Sequence, residues 1–268
     1  MNTYQQLATV LAHSPPGLAF DIDGTLSPIA PTPDEARVYP GVLPLLERAK
    51  KYAHVAILTG RSIDDGAGIL NMDGLTYIGT HGLEWSDGLP WLHPVEMMPE
   101  SLAYSEPGKY LLDLVEHHLS ELPGVIVQRK RIGGTIHYRL APDPLTTRQK
   151  LLSLLEQPAQ QVHMKLSEGK LAVEIRVPLP VHKGWAIRTF LERYNLNAVI
   201  FAGDDRTDLD AVMEIGRMRA EGIAALSIVV QHHDTLPELL TQADIVVQGV
   251  PGMLDVLREI VTILESNQ

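Results

Sequence analysis

The run Leu18-Ala19-Phe20-Asp21-Ile22-Asp23-Gly24-Thr25 decides how this chain is read. Three apolar residues give way to two carboxylates one residue apart, then a glycine and a threonine. A short apolar stretch closed by turn residues predicts a buried strand that ends in a loop. Gly24 lets the backbone turn there, so Asp21 and Asp23 can face one cleft. One carboxylate then suits attack on an electrophile and the other suits proton transfer.

Reading outward, residues 3–12 predict a short helix ended by Ser14-Pro15-Pro16-Gly17. Downstream, Val42, Leu45, Leu46 and Ala49 have helical spacing within 41–52. His54–Thr59 predicts a second buried strand, closed by Gly60-Arg61-Ser62, with Ser62 capping the next helix. Leu75–Gly79 predicts a third strand. Strand and helix in alternation indicate a parallel sheet with both faces covered.

The pattern changes at 86–107, which is rich in Pro, Gly and acidic residues and reads as a linker. A helix at 108–121 precedes strands at 124–130 and 134–140; a helix at 144–156 precedes strands at 161–166 and 171–177. Helix-strand-strand, twice, predicts an antiparallel sheet with helices on one face. Pro178 and Pro180 end it, and alternation resumes with helices at 184–194, 206–215, 235–241 and 252–265 and strands at 198–202, 224–230 and 244–247. The expected architecture is an α/β core built from residues 1–101 and 181–268, with an α+β domain inserted over 102–180.

Composition narrows the function classes. The 268 residues carry 22 Lys plus Arg against 33 Asp plus Glu, a net charge of -11. That charge argues against a nucleic-acid or anionic-membrane partner. Cysteine is absent, which excludes disulfides, zinc–thiolate sites, iron–sulfur clusters and Cys nucleophiles. The first 20 residues lack a signal-peptide pattern, and no run approaches the roughly 18 apolar residues of a membrane span. A cytoplasmic setting is expected, and the short termini predict no fused second catalytic domain.

Four motifs fall at the carboxyl edge of the predicted sheet, where ligands bind in open α/β folds. They are Asp21–Thr25, Thr59-Gly60-Arg61, Lys183, and Gly203-Asp204-Asp205-Arg206-Thr207-Asp208. A third carboxylate from another strand completes an oxygen-rich site for a hard cation such as Mg2+. A threonine hydroxyl and a lysine suit the equatorial oxygens of a transferring phosphoryl group. Each motif alone has a bland alternative, as loop carboxylates or helix-start acids. Four in order, at strand and helix ends, argue for one site.

Asp21–Thr25 resembles the D-x-D-G-T signature of the haloacid dehalogenase superfamily, and the ordered set of four motifs is similar to that superfamily's. The insertion between Thr59 and Lys183 resembles its second cap position and type B cap. Further segments resemble the trehalose-6-phosphate phosphatase family: Asp23–Ile29, Gly79–Glu84, Ile136–Arg139, Gly169–Arg176, His182–Ala186 and Gly203–Asp208. The resemblance implies a Rossmann-like parallel-sheet haloacid dehalogenase core with an inserted α+β (type C2B) cap.

It also implies roles. Asp21 is the expected nucleophile, forming an aspartyl-phosphate, and Asp23 the general acid and base. Mg2+ is expected on Asp21, the backbone carbonyl of Asp23, and Asp204, with Asp205 and Asp208 orienting Lys183 or metal-bound water. Thr59 and Lys183 hold the phosphate, helped by Gly24, Thr25, Gly60 and Arg61; the alternative for Arg61 is pairing with Asp64 or Asp65. His81, Lys130, Arg139, Lys170 and Glu174 are expected on the sugar, with a structural role as the alternative for His81 and a polar strand face for the rest. Glu84 faces substrate or solvent. One departure is the run Gln128-Arg129-Lys130-Arg131, where family members often carry an acidic residue and a lysine.

The implied activity is Mg2+-dependent hydrolysis of trehalose 6-phosphate, the last step of trehalose biosynthesis, coupled to a separate trehalose-phosphate synthase. The alternatives are a phosphatase of sucrose phosphate or mannosyl-3-phosphoglycerate, a phosphomutase, and a phospho-receiver or regulatory protein.

Overall fold

The computed structural model describes residues 2–267. The chain forms two compact units, Met1–Glu96 with Val181–Gln268, and Met97–Pro180. The elements before the insertion are α1 (Thr3–Leu11), β1 (Pro16–Phe20), α2 (Val42–Ala49), β2 (His54–Leu58), α3 (Ile63–Leu70), β3 (Thr76–Gly79), β4 (Glu84–Ser86) and β5 (Glu96–Met97). The inserted unit carries α4 (Ser105–His117), β6 (Ile126–Arg129), β7 (Gly134–His137), α5 (Pro144–Gln161), β8 (Lys165–Gly169) and β9 (Ala172–Arg176). The chain then returns through α6 (Lys183–Arg193), β10 (Ala198–Gly203), α7 (Leu209–Ala220), β11 (Ala224–Gln231), α8 (Pro237–Gln242), β12 (Ile245–Gln248) and α9 (Gly249–Ser266).

The first unit holds an eight-stranded sheet in the order β12-β11-β10-β1-β2-β3-β4-β5. It is parallel from β12 to β3, while β4 runs antiparallel to β3. Successive strand residues point to opposite faces. Leu18 and Phe20 of β1 join a core with the apolar sides of α1, α2, α3 and α9. Ala19 joins a second core with α6, α7 and α8. The helical spacing of Val42, Leu45, Leu46 and Ala49 buries all four. Ser62 caps α3 by accepting from the Asp65 N–H at 3.1 Å.

Register positions the site. Phe20 lies opposite Ala202 on one side and Ile57 on the other. Just beyond these positions Asp21, Asp204 and Thr59 leave the sheet along one edge. Crossover helices run back antiparallel to the strands, so the first residue of α6, Lys183, returns to that edge.

The inserted unit is a four-stranded antiparallel sheet, β6-β7-β9-β8. Val127, Ile136, Val173 and Ile175 pack with Leu111, Leu112, Leu151 and Leu155 of α4 and α5. Gln128, Thr135, Glu174 and Ser167 pair in one row across the sheet, on the opposite face.

Three expectations change. The linker over 86–107 contains the end of β4, all of β5 and the start of α4; strands this short give no periodic signal. The helix expected to stop at 156 runs through Pro158 to Gln161, because burial of Leu155 and Ala159 on either side holds it. The following strand accordingly starts at Lys165, not 161. The helix expected from 206 opens as a tight 3-10 turn, Arg206–Asp208, before α7.

Candidate active site

Asp21 follows the central strand, its N–H donating to the Ala202 carbonyl at 2.9 Å. Its carboxylate meets Lys183 Nζ at 2.8 Å, and the same ammonium meets Asp208 Oδ1 at 2.6 Å. All three residues are buried. His182 caps the start of α6 by accepting from the Trp185 N–H at 3.3 Å, which fixes where Lys183 emerges. Asp208 uses its second oxygen to accept the N–H groups of Asp204 and Asp205, each at 2.9 Å. It therefore positions both Lys183 and the backbone that presents Asp204. Asp205 reciprocates as the cap of the Arg206–Asp208 turn; of the two acids expected to orient Lys183, Asp208 makes the contact.

Burial pushes the Asp21 carboxyl up to about 7, against the pull of Lys183. Burial also disfavours the Lys183 charge, but Asp208 and Asp21 outweigh it and hold the ammonium above its ordinary range.

Carboxylate oxygens of Asp21, Asp204 and Asp208 lie within 4.8 Å of one another. Three buried acids around one lysine leave excess negative charge in a low-dielectric site, and hard oxygen donors suit a divalent cation. The residues present thus fit Mg2+. Asp208 is committed through both oxygens, so Asp21 and Asp204 are the better donors. The Gly24 N–H donates to the Ser27 carbonyl at 2.7 Å, and a trans peptide then turns the Asp23 carbonyl the other way.

Gly24 has φ +82° and an added Cβ would fall 2.2 Å from Asp204 Oδ2, so only glycine fits between the two motifs. Thr25 is buried, and its Oγ1 has no hydrogen-bond partner among the described residues. Thr59 is also buried, its hydroxyl accepting the Arg61 N–H at 3.2 Å.

Arg61 takes a partner that neither sequence alternative names. Its Nε and Nη2 grip the two oxygens of Asp23 at 2.6 and 2.8 Å, and Nη1 donates to the Pro33 carbonyl at 3.1 Å. The loop after β2 thus faces the loop after β1.

His81 is 4% exposed, and its ring sits where a Cβ on Gly60 would be 2.7 Å away. It backs the Thr59–Arg61 loop. Glu84 faces neither substrate nor solvent: it is buried, accepting the Ile63 N–H at 3.0 Å and the Thr80 hydroxyl at 2.6 Å.

In the inserted unit, Lys130 pairs with Glu174 on the polar face, and its side chain is 2% exposed. Arg176 approaches Glu174 at 3.8 Å, and Arg139 donates to the Lys170 carbonyl at 3.4 Å. Arg129 turns the other way, to Asp113 and Glu116 of α4. Alternation thus splits the basic run between two faces, with Arg129 on the acids of α4 and Lys130 on Glu174.

One site residue carries no motif. His232, in the turn after β11, donates from Nε2 to the Gly24 carbonyl at 2.7 Å. Its place at a strand's carboxyl end is the only sequence signal that marks it.

A family model described as trehalose-phosphatase matches residues 19–247. A trehalose-phosphate phosphatase of Mycobacterium tuberculosis H37Rv is 30% identical over 234 residues, covering 85% of this chain and 57% of the relative. The chain spans about half the length of the curated relatives it matches. A solved "trehalose-6-phosphate phosphatase related protein" superposes with a TM-score of 0.78 at 26% identity, covering 94% of this chain and 100% of that one. The C-terminal domain of a Candida albicans trehalose-6-phosphate phosphatase shares the fold, with a TM-score of 0.81 at 19% identity over 98% and 97% of the two chains. Among the described residues, no helix is long and apolar enough to cross a membrane.

Proposed function

The chain belongs to the trehalose-phosphatase family, and from that premise we propose that it is a Mg2+-dependent phosphatase converting trehalose 6-phosphate to trehalose and phosphate. The observation that carries the chemistry is the buried Asp21–Lys183–Asp208 chain at the end of the central strand.

Asp21 attacks phosphorus, and the bond from phosphorus to the sugar oxygen breaks. Asp23 gives its proton to that oxygen, and trehalose leaves. Asp23 then takes a proton from water, whose oxygen attacks the aspartyl-phosphate. The Asp21–phosphorus bond breaks, phosphate departs, and both carboxyls return to their starting states. Lys183 and Thr59 hold the phosphoryl oxygens, with the Gly60 N–H as a further donor, while the Gly24 and Thr25 N–H groups are taken by the Ser27 and Ile22 carbonyls. Arg61 aims Asp23 by donating to both its oxygens. Mg2+ held by Asp21, Asp204 and the Asp23 carbonyl would offset charge on the transferring group.

Selection of the sugar is assigned to the inserted unit, Met97–Pro180, through Lys130, Arg139, Lys170 and Glu174. A buried ion pair flanked by polar side chains on one sheet face supports this, because hydroxyl-rich ligands are recognised by fixed donors and acceptors. His81 is assigned to support of Gly60. The absence of cysteine supports a cytoplasmic enzyme, and the substrate assigned here would be supplied by a trehalose-phosphate synthase.

The test is phosphate release from trehalose 6-phosphate, sucrose 6-phosphate, mannosyl-3-phosphoglycerate and glucose 6-phosphate, with EDTA controls. Metal-dependent preference for trehalose 6-phosphate is expected. Preference for another sugar phosphate overturns the substrate; no release from any, with a long-lived phosphoprotein, would make the chain a receiver-like protein.

A further inference from the structure

His232 lies outside every motif, yet its ring reaches the catalytic loop. Nε2 donates to the Gly24 carbonyl at 2.7 Å and stands 3.8 Å from Asp204 Oδ2. We propose that His232 is a positioning residue that fixes the Asp23-Gly24-Thr25 backbone in the shape the phosphoryl and cation sites require. The proposal rests on the phosphatase reading above.

The need for such a residue follows from Gly24. Asp204 approaches so closely that no Cβ fits there. The fold must therefore place the most flexible residue at the point where the first and last motifs meet. Rotation of a peptide plane beside glycine costs little, and such a flip would turn the Gly24 carbonyl and the Thr25 N–H away from their present directions. Both sides of the Gly24–Thr25 peptide are tied instead. The Thr25 N–H donates to the Ile22 carbonyl at 3.1 Å, and the Gly24 carbonyl accepts from His232. The preceding peptide is tied by the Gly24 N–H to Ser27, so the loop is restrained from within on one side and by His232 on the other.

The bond requires the proton on Nε2 and uses nothing else of the ring. The local turn is built separately: the His232 N–H donates to Thr235 Oγ1 at 2.8 Å, and the Thr235 N–H donates to the His232 carbonyl at 3.4 Å. Shortening the side chain therefore leaves the turn its own bonds. Residues that orient the groups around a metal site typically change metal affinity or activity by about 10- to 100-fold.

The experiment compares the parent with His232→Ala and His232→Gln, whose amide N–H can reach the same carbonyl. Amide exchange in the metal-free protein is read over residues 20–28. His232→Ala should exchange faster there and nowhere else in the first unit, and His232→Gln should recover part of the protection. The Mg2+ concentration for half-maximal thermal stabilisation should rise about tenfold in His232→Ala. On trehalose 6-phosphate, kcat should fall about 10- to 100-fold with KM within about twofold. Parent-like exchange and an unchanged Mg2+ requirement overturn the proposal. So does loosening spread over the whole unit that His232→Gln does not repair, which marks a merely structural residue. If the parent releases no phosphate from any sugar phosphate, the phosphatase reading falls, and the exchange and Mg2+ arms still decide the role of His232.

Discussion

The two units place their polar groups on different parts of a strand. In the catalytic unit they stand just past strand ends: Asp21 after β1, Thr59 after β2, Asp204 after β10. In the inserted unit they stand along strands, where Gln128, Thr135, Glu174 and Ser167 form a row set by register. Past a strand end the backbone is free to turn, so several groups converge on one point. Along a sheet face neighbouring strands keep their side chains about 4.8 Å apart. Convergence suits attack at one phosphorus atom. A row suits a surface of hydroxyls. Lys183, Asp21 and Asp208 are all enclosed, whereas the inserted unit combines the largely buried Lys130–Glu174 pair with Arg129 and Arg148 paired at the surface.

Four substitutions would break or sharpen that contrast. The largest effect belongs to Asp21→Asn, which should lower kcat about 10,000-fold or more on every phosphate ester while circular dichroism stays unchanged. Residual turnover near the parent level would remove the nucleophile from the account. Lys183→Met should cost about 100- to 1,000-fold in kcat. It should also destabilise by about 3–5 kcal/mol in urea unfolding, because it strands two buried carboxylates; an intact Tm would contradict the enclosed network. Glu174→Ala should lower kcat/KM on trehalose 6-phosphate about 10- to 100-fold, yet change hydrolysis of p-nitrophenyl phosphate by less than about twofold. Equal losses on both esters would erase the division of labour. Arg129→Ala, at the exposed pair with α4, should leave activity alone and lower Tm by no more than about 2 °C.

The same contrast explains what was legible in the sequence. Asp21, Thr59, Lys183 and Asp204 each sit at the end of a clear apolar run or helix start, so their convergence followed from topology. The helix-strand-strand repeat of the insertion was equally plain from its periodicity. The pairing of Arg61 with Asp23 was not readable, because the two lie 38 positions apart in the sequence. Glu84 looked like a surface acid; its burial comes from receiving the Ile63 N–H at the start of α3. The short β4 and β5 vanished among turn residues, since a sheet edge of two or three residues carries no alternation. His232 escaped because it contacts a backbone carbonyl, and no pattern of side chains records such a bond.

The most direct measurement is borohydride trapping during turnover of trehalose 6-phosphate with Mg2+, followed by peptide mass analysis. An acyl phosphate at Asp21 would be reduced, converting residue 21 to homoserine, and the account predicts that product there and at no other aspartate. Phosphate release at full rate with Asp21 unlabelled, or label on Asp23 or Asp204 instead, would contradict it.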